Sequence, residues 1–370
     1  MWTLLAACEL VPEPNDVPPP PPEDTDLPVT GVEVIADPPW VLGKAPAGPH
    51  TDPELHYVEG KLVATWVADG TIQIADVPIL DPSLVLPYEL TDDSAAGARP
   101  DAGLAEQRLI GVWTTPAGTV TGGGILQGGA PMDSISVAYD AEHGSVRMNL
   151  ATDGNADLVW TTGISIKSSG FDRLLSTSEP AVVEAEATGT AFDAVAAPAG
   201  GFFAVWAAAA GLQAGTIPAS ATPTIVLGDA LATDPNVAVR DDGAWAATWL
   251  DGTGTAWFRT SGDPASAAGA LQVATGASTP VIAWVDDRVA IAWNVGTALS
   301  MGLYELDGVL ATDTPALALG QASGRPAMAA RAVNDAWEIT VAWPAASGEL
   351  LGTFANVIDR TIDDTSPLTR

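Results

Sequence analysis

Short runs of apolar residues, separated by polar turns, recur along almost the whole chain. Between positions 280 and 308 there are three such runs, divided by a turn at Asp286–Arg288 and followed by an Asp-Gly pair, Asp307–Gly308. Apolar runs of this length bounded by turn residues are typical of β-strands. The middle run, Val289–Trp293, ends in tryptophan. The pattern therefore predicts a repeated unit of short strands whose middle strand ends in an aromatic residue.

Counterparts of this middle strand occur throughout the chain, about 45 residues apart. Each ends in a tryptophan, at Trp66, Trp113, Trp160, Trp206, Trp249, Trp293 and Trp343. In the third copy, residues 146–154 could instead be the middle strand, which would place Trp160 on the third strand. Either register gives seven units. Such a period with several strands per unit is the signature of a β-propeller. We therefore predict an all-β fold, a single seven-bladed β-propeller over residues 31–365.

The sixth copy shows how such a strand would pack. Val289, Ile291 and Trp293 alternate with Ala290 and Ala292, so large side chains lie on one face and small ones on the other. A strand with a blade packed on each side needs this arrangement. We interpret the repeated tryptophans as core residues between blades rather than as platforms for a ligand.

The last copy, from position 325 to 359, supplies three strands and then gives way to Asp-rich sequence. The spacing of Gly31, Gly43 and Pro49 matches that of Gly308, Gly320 and Pro326, which lead into the last copy. We therefore predict that residues 31–43 form the outer strand of the seventh blade. This strand would close the ring and remove the exposed sheet edge.

The first eight residues contain the only cysteine of the chain, Cys8. The run Leu5–Cys8 resembles the bacterial lipobox, and the resemblance implies lipidation of Cys8. Because residues 1–8 lack a basic segment and are short for a signal peptide, we expect a truncated signal whose true start lies upstream. The sequence thus predicts a lipid-anchored protein of the cell envelope, on the outer membrane, with membrane contact through the anchor only.

Residues 9–30 are rich in proline and acidic residues and include five consecutive prolines, Pro18–Pro22. Such a segment favours polyproline II and is predicted to be a semi-rigid linker. Residues 366–370 are predicted to be a tail. The chain has 46 acidic and 14 basic residues, a net charge of −32. This charge argues against nucleic acid as a partner and permits cations or basic partners. We expect a monomer.

No motif for catalysis is evident, and we assign no catalytic residue. His50 and His56 lie outside any metal-ligand pattern and are interpreted as surface loop residues. The run Gly122–Gly124 is interpreted as a turn or bulge. The segment from Leu250 to Trp257 resembles a sialidase Asp-box with altered spacing. An arginine triad could come from nine arginines, but the sequence does not select three: Arg99, Arg108, Arg147, Arg173, Arg240, Arg259, Arg288, Arg325 and Arg331.

The run DGNADLVW, 153–160, is the clearest candidate for a metal site. Oxygen-bearing side chains at alternate positions, Asp153, Asn155 and Asp157, can converge on Ca²⁺. The run is similar to the tail of the FG-GAP calcium loop, although it occurs once and lacks the preceding Asp-x-Asp. The alternative is a hairpin turn, because Asp and Asn tolerate turn geometry. No other cofactor is expected.

The chain as a whole resembles bacterial lipoproteins with propeller-type repeats whose strands end in VAW or VVW. This resemblance implies the fold and not an activity. We predict a binding or scaffold module for a surface protein, a glycan or a cation. The alternative is an extracytoplasmic glycan hydrolase or lyase of the same fold. An enzyme of that class would need paired carboxylates roughly 5–10 Å apart at the mouth of the channel.

Overall fold

The computed structural model describes residues 31–44, 49–90, 99–126, 129–130, 132–218, 225–261, 269–311, 316–334 and 336–360. The lipobox with Cys8, the linker 9–30 and the tail 366–370 lie outside the described residues. In the described part of the chain, no helix has the length and apolar character needed to cross a membrane.

The strands are short, and they group into seven antiparallel sheets. Before the first full blade come β1 (Gly31–Ala36) and β2 (Trp40–Gly43). Blade 1 contains β3 to β6 (His50–Val58, Lys61–Ala68, Thr71–Val77, Tyr88–Glu89), and blade 2 contains β7 to β10 (Asp101–Ala105, Arg108–Thr114, Val120–Leu126, Ile135–Ala138). Blade 3 contains β11 to β14 (Arg147–Leu150, Ala156–Thr161, Ser165–Phe171, Val182–Glu186).

The remaining four blades follow the same order along the chain. Blade 4 contains β15 to β18 (Phe192–Ala196, Phe202–Ala208, Gly211–Ile217, Ile225–Gly228), and blade 5 contains β19 to β22 (Thr233–Val239, Trp245–Leu250, Thr255–Thr260, Leu271–Thr275). Blade 6 contains β23 to β26 (Ala277–Val285, Arg288–Val295, Ala298–Tyr304, Leu317–Gln321), and blade 7 contains β27 to β29 (Ala327–Val333, Ala336–Pro344, Leu350–Arg360).

The first strand of each blade contacts the first strand of the next blade, and β27 contacts β3. These seven strands therefore form a closed inner ring around a central channel. The prediction of a single seven-bladed β-propeller is confirmed. Because every first strand belongs to this ring, residues far apart in sequence meet at the channel.

The N-terminal segment closes blade 7, as the sequence predicted. Strand β1 pairs with β29 from Gly31 opposite Arg360 to Ala36 opposite Ala355. Strand β2 continues along the same neighbour, with Trp40 opposite Gly352. The segment forms two strands instead of one, and the break contains two consecutive prolines, at positions 38 and 39. Proline has no N–H to donate to a ladder.

All seven repeated tryptophans lie on the second strand of their blade, and none is more than 6% exposed. Trp160 lies on β12 while residues 147–150 form β11, so the first of the two registers considered for the third copy is correct. The interpretation of these tryptophans as core residues is confirmed. The packed aromatic rings between blades bury the largest apolar surfaces of each unit.

The glycine run 122–124 is neither a turn nor a bulge, and the interpretation from sequence was wrong. It lies inside β9 and pairs in regular register with β8. A Cβ atom on Gly123 would lie 2.9 Å from the ring of Trp113. Glycine is needed here because the tryptophan packs directly on the strand backbone.

Candidate functional site in the central channel

Seven equivalent positions, one on each first strand, form a ring across the channel. Each pairs with the residue immediately before the repeated tryptophan of its own blade. In blade order, the ring consists of Glu54, Asp101, Arg147, Asp193, Asn236, Val281 and Ala327. Polar residues occupy the first five of these positions, although the surrounding strands are mostly apolar. The channel is therefore the candidate functional site.

In five blades, a proline immediately precedes the ring residue, and four of the residues before these prolines have a left-handed backbone. The φ angles are 50° at Asp52, 41° at Arg99, 47° at Asp234 and 47° at Thr279. In blade 7, Arg325 occupies the same place before Pro326. In blades 1, 5 and 6, the pairing of the first strand is irregular at this point. The recurring X-Pro pair thus marks the start of the first strand beside the channel.

Two arginines cross the channel at the level of the ring. Arg147 donates through Nε to Asp193 Oδ1 at 2.8 Å and through Nη2 to Glu54 Oε1 at 3.4 Å. Arg99 donates through Nη2 to the same two oxygens, each at 3.3 Å. On the far side, Arg325 of blade 7 donates to the main-chain oxygen of Pro235 in blade 5 at 3.4 Å. Three of these contacts, Arg147–Glu54, Arg99–Asp193 and Arg325–Pro235, join blades that are not neighbours, so they cross the channel.

We call Arg99, Arg147, Arg325, Glu54 and Asp193 the arginine plug. Burial alone would raise the pKa of Asp193. The positive charges of Arg147, Arg99 and Arg325 have the larger effect and hold that pKa below its usual range. Burial, together with repulsion from Arg147 and Arg325, lowers the pKa of Arg99 to about 10. Both groups remain ionised at neutral pH, so the plug is a network of fixed charges.

Ring residues also join neighbouring blades through the main chain. Asp101 Oδ2 accepts the N–H of Met148 in the next blade at 2.8 Å, and Asp193 Oδ2 accepts that of Val237 at 3.0 Å. Asn236 Oδ1 accepts the N–H of Ile282 at 2.7 Å. Because the bond recurs from blade to blade, part of the polarity of the ring is structural.

His56 of β3 lies against the wall of the channel, with Nε2 2.7 Å from Asp101 Oδ1. The histidine side chain is 36% exposed, whereas that of Asp101 is 4% exposed. Burial would lower the pKa of His56, but the charge of Asp101 and the bond to it raise that pKa overall. The buried carboxylate of Asp101 and the imidazole of His56 thus form a close pair at the wall of the cup.

The interpretation of His50 and His56 as surface loop residues was wrong, because both belong to β3. His50 is 3% exposed and shares a 3.0 Å hydrogen bond with the main-chain oxygen of Lys44. Its ring lies 6.3 Å from that of Trp66. Apolar and polar residues do not alternate regularly around the two histidines, so the sequence did not predict this strand.

Below the plug lies a cavity of about 460 Å³, here called the cup. Its floor contains Glu54, Arg147 and Asp193, and its walls include alanine, valine and other apolar residues of the first strands. The lining extends to Arg240 and Asp241, where β19 ends and turns towards the second strand of its blade. The cup therefore opens on the face that carries the turns between first and second strands.

Two arginine–aromatic pairs stand at the rim of the cup. Arg240 lies over the ring of Trp284 at 4.9 Å, and its Nε and Nη2 donate to Asp242 at 3.0 and 2.6 Å. Arg331 lies over the ring of Tyr57 at 5.0 Å. An aromatic side chain and a carboxylate together hold each guanidinium group in place, so the side chains at the rim are preorganised.

The second pair is held by a hydrogen-bonded group on β28. Glu338 Oε1 accepts from Arg331 Nε at 2.9 Å and from the Tyr57 hydroxyl at 3.0 Å. The hydroxyls of Tyr57 and Thr340 are 2.6 Å apart. Burial, the largest influence, raises the pKa of Tyr57, so this phenol stays neutral. Trp337, the neighbour of Glu338 in sequence, also lines the cup.

The candidate calcium residues lie away from the channel. Asp153 and Asn155 are in the turn between β11 and β12, and Asp157 is on β12. Asp153 accepts from the main-chain N–H of Asn155 at 3.0 Å and from its side-chain amide at 2.8 Å. Burial and the charge of Glu179 raise the pKa of Asp157. Within the described ranges, no group of three or more His, Cys, Asp or Glu side chains is placed to hold a metal ion. The calcium site stays a prediction.

The Asp-box-like segment forms the turn between β20 and β21. Asp251 Oδ1 accepts from the N–H and hydroxyl of Thr253 and from the N–H of Thr255, at 2.8, 2.7 and 3.0 Å. Its Oδ2 accepts from Trp257 Nε1 at 2.9 Å. The carboxylate thus organises the turn even though its spacing differs from that of the motif.

The sequence analysis did not predict the ring of seven channel positions, although the sequence contains a signal for it. In six of the seven blades, the ring residue lies 12 or 13 positions before the repeated tryptophan. The X-Pro pairs precede it directly. Nothing in the sequence alone, however, shows which of nine arginines converge. The structure selects Arg99, Arg147 and Arg325.

Comparison of the chain with protein-family models and with curated proteins finds no match. Among solved structures, the fold is similar to the WD40 domain of Toxoplasma gondii coronin, with a TM-score of 0.60 and 11% identity over 90% of this chain and 88% of that one. It is also similar to BBS1N, solved in complex with ARL6DN, with a TM-score of 0.54 and 8% identity over 88% and 97% of the two chains. At these identities, the likeness shows the fold alone.

Proposed function

We propose that this chain is a binding module that recognises a protein partner at the rim of the cup. The observation that carries the proposal is the pair of fixed arginine–aromatic contacts, Arg240 on Trp284 and Arg331 on Tyr57, around an apolar-walled cavity. Tryptophan, tyrosine and arginine are the residue types that dominate binding energy at protein interfaces. A preorganised rim also loses little side-chain entropy on binding.

The net charge of −32 favours a basic segment as the partner. Such a charge attracts cationic surfaces over long range and accelerates their association. The cup, about 460 Å³ in volume, has room for one or two side chains of the partner. We therefore expect a Lys- or Arg-rich peptide to bind at the rim of the cup, with its apolar side chains directed into the cup.

The test is a fluorescence titration of the full chain with Lys- and Arg-rich peptide libraries, with acidic peptides and neutral glycans alongside. Trp337→Ala removes an aromatic side chain from the cup. Tyr139→Ala is the matched control, because Tyr139 is 73% exposed and does not line the cup. Basic peptides should bind the unmodified chain and the Tyr139 variant, and bind the Trp337 variant at least about tenfold more weakly. Equal binding by all three, or binding of neutral glycans alone, would refute the proposal.

The second candidate is a glycan hydrolase or lyase, and two observations favour it. His56 paired with Asp101 faces the cup as a general base would. Glu54 Oε1 and Asp193 Oδ1 both lie 3.3 Å from Arg99 Nη2, so these two oxygens are no farther apart than twice that distance, which is compatible with the shorter separations in the roughly 5–10 Å range of paired catalytic carboxylates. Both carboxylates are paired with arginines, however, and the lowered pKa of Asp193 does not suit a general acid.

A broad screen of polysaccharide turnover separates the two functions. Turnover that is lost in His56→Gln or Glu54→Gln, with the fold retained, would show that the protein is an enzyme. The absence of turnover across neutral, uronate-containing and sulfated polysaccharides, together with peptide binding, would support the binding module.

The proposed tether is Cys8, carrying the propeller on the outer membrane through the linker 9–30. A mature bacterial lipoprotein is held by more than one acyl chain, which gives stable membrane binding. Cys8→Ala, expressed in the native host, should move the protein into the soluble fraction. An unchanged membrane fraction would refute the tether.

Calcium is the proposed ligand of Asp153, Asn155 and Asp157. If the site binds Ca²⁺, saturating calcium should raise the melting temperature, and Asp157→Ala should abolish that rise. Glu179 should contribute as well, since its charge already acts on Asp157. A melting temperature that does not respond to calcium would leave the loop as a hairpin turn only.

A further inference from the structure

The arginine plug holds more positive charge than its contacting carboxylates neutralise. Within the described part of the chain, the guanidinium groups of Arg99 and Arg147 share Glu54 and Asp193. Arg325 is close enough to act electrostatically on both Arg99 and Asp193. Three guanidinium groups therefore have only two directly paired carboxylates between them. A third carboxylate, Asp101, also acts on Arg147, but its oxygens are held by His56 and by the main-chain N–H groups of Ala102 and Met148. Like charges so close together, with little water between them, repel strongly.

The plug also contains a donor without an acceptor. Arg99 Nε is buried and has no hydrogen-bond partner among the described residues. The hydrogen bond of Arg325 is a single long one, 3.4 Å to the main-chain oxygen of Pro235. A buried N–H without a partner is costly, whereas a bond from a guanidinium to an oxyanion is short and strong. An oxyanion would therefore satisfy the donor and balance the charge.

We propose that Arg99 and Arg325, with Arg147 behind them, bind a small oxyanion at the mouth of the channel opposite the cup. The ligand chemistry is a carboxylate, sulfate or phosphate group. Neither Arg99 nor Arg325 lines the cup, and both precede the first strands of their blades, so the site faces the other side of the molecule. It is therefore separate from the proposed partner site at the rim.

The surroundings limit the size of the ligand. Asp52 and Asp234 hold the same pre-proline position in their blades as Arg99 and Arg325, so they stand at the same mouth. No ion pair joins either aspartate to the three arginines among the described contacts. These carboxylates would repel an extended polyanion more strongly than a compact anion. The site should prefer a single oxyanion group over a sulfated or phosphorylated polymer.

The test uses the full chain at constant ionic strength, with sodium chloride replaced stepwise by sodium sulfate or sodium acetate. Calorimetric titration measures affinity, and the ¹H–¹⁵N resonances of the arginine Nε–H groups report the place of binding. Arg325→Gln removes one guanidinium that has little part in the fold, and Arg99→Lys keeps the charge but loses Nε. Arg259→Gln is the control, since Arg259 lies on β21, away from the channel.

We expect saturable binding of one anion per chain and a selective shift of the Arg99 Nε–H resonance. Arg325→Gln and Arg99→Lys should each weaken binding about tenfold or more, and Arg259→Gln should leave it unchanged. Dextran sulfate should bind more weakly per sulfate group than free sulfate. Non-saturable stabilisation, an equal response in all variants, or binding that leaves the Arg99 resonance in place would overturn the proposal.

Discussion

Asp251 illustrates how one carboxylate can fix a blade turn without any role in a site. All four of its hydrogen bonds lie within the segment from Asp251 to Trp257. These bonds favour the ionised form, and they hold the pKa of Asp251 well below its usual range, the Thr253 hydroxyl contributing most. A carboxyl group whose pKa is lowered by folding stabilises the folded chain at pH values above its unfolded-state pKa of about 3.9. That stabilisation is lost as the pH falls through the folded-state pKa.

Asp251→Ala should therefore lower the melting temperature at pH 7 by roughly 2 °C or more, because several donors lose their acceptor. The difference from the unmodified chain should shrink as the pH falls below about 4. Asp287→Ala is the matched control, since Asp287 is an exposed aspartate in the turn between β23 and β24. Differential scanning calorimetry at pH 7 and pH 3 measures both variants, and equal melting temperatures for the two would contradict the assignment.

His56 predicts a pH dependence of the opposite sign. Its pKa in the folded chain is raised by Asp101, so its contribution to stability is complete below the unfolded-state value of about 6.5. That contribution disappears as pH rises through the raised folded value. The free energy of unfolding of the unmodified chain should exceed that of His56→Gln more at pH 6 than at pH 9. Urea unfolding at the two pH values measures the difference, and a constant difference would show that the ion pair adds nothing.

At the scale of strands, the seam between β2 and β29 closes the ring. Trp40 of β2 packs its ring 5.5 Å from that of Phe354, and a Cβ atom on Gly352 would lie 2.6 Å from the Trp40 ring. The indole thus rests on the bare backbone of the opposite strand. Among the described strands, the N-terminal segment pairs only with β29. The contact between Trp40 and Gly352 therefore contributes to the closure of blade 7.

Gly352→Ala should displace Trp40 and destabilise the chain, and Trp40→Ala alone should cost about 1–3 kcal/mol for a half-buried indole. In the double variant the added methyl meets no ring, so the two effects should be less than additive by about 1 kcal/mol. Gly269→Ala is the control, because no atom lies within 4 Å of a Cβ atom there. Urea unfolding of the four chains tests the coupling, and simple additivity would contradict it.

Strands were predictable from sequence because their signals are local and repeated. The seven tryptophans recur in register, and the matching glycine and proline spacings at Gly31 and Gly308 identify the closing segment. His56 was missed because its partner, Asp101, belongs to another blade. The glycines of β9 were misinterpreted because the side chains that pack on them, those of Phe171, Trp113 and Met132, come from other segments of the chain. Contacts of this kind, between different segments of the chain, do not change the local pattern of apolar and polar residues.

At the scale of the whole molecule, the channel is assembled from residues that no sequence window contains. Arg99, Arg147 and Arg325 belong to three different blades, and Arg325 is far from the other two in sequence, yet the closed ring of first strands brings them together. The composition, with 46 acidic residues, gives no hint that a cationic cluster lies on the axis. The fold could be predicted from its period, whereas the site depends on ring closure and could not.

Because the plug joins blades 1, 2, 3 and 4, it should stabilise the ring as one cooperative unit. Arg147→Met removes a buried guanidinium that contacts both Asp193 and Glu54. Breaking a buried ion pair from one side leaves an uncompensated charge and costs about 3–5 kcal/mol. The variant should therefore unfold at a lower urea concentration. The transition should remain coincident by circular dichroism and tryptophan fluorescence, since every blade contains a buried tryptophan.

A second substitution distinguishes loss of the ion pair from loss of packing. Asp193→Asn removes the negative charge while keeping an amide oxygen to accept the N–H of Val237. In the Arg147→Met background, it should restore part of the lost stability, because the remaining buried charge is reduced. In the unmodified background it should destabilise, since both Arg147 and Arg99 lose a carboxylate. If Asp193→Asn is equally costly in both backgrounds, the arginines and Asp193 are not coupled, and the channel is held closed by apolar packing alone.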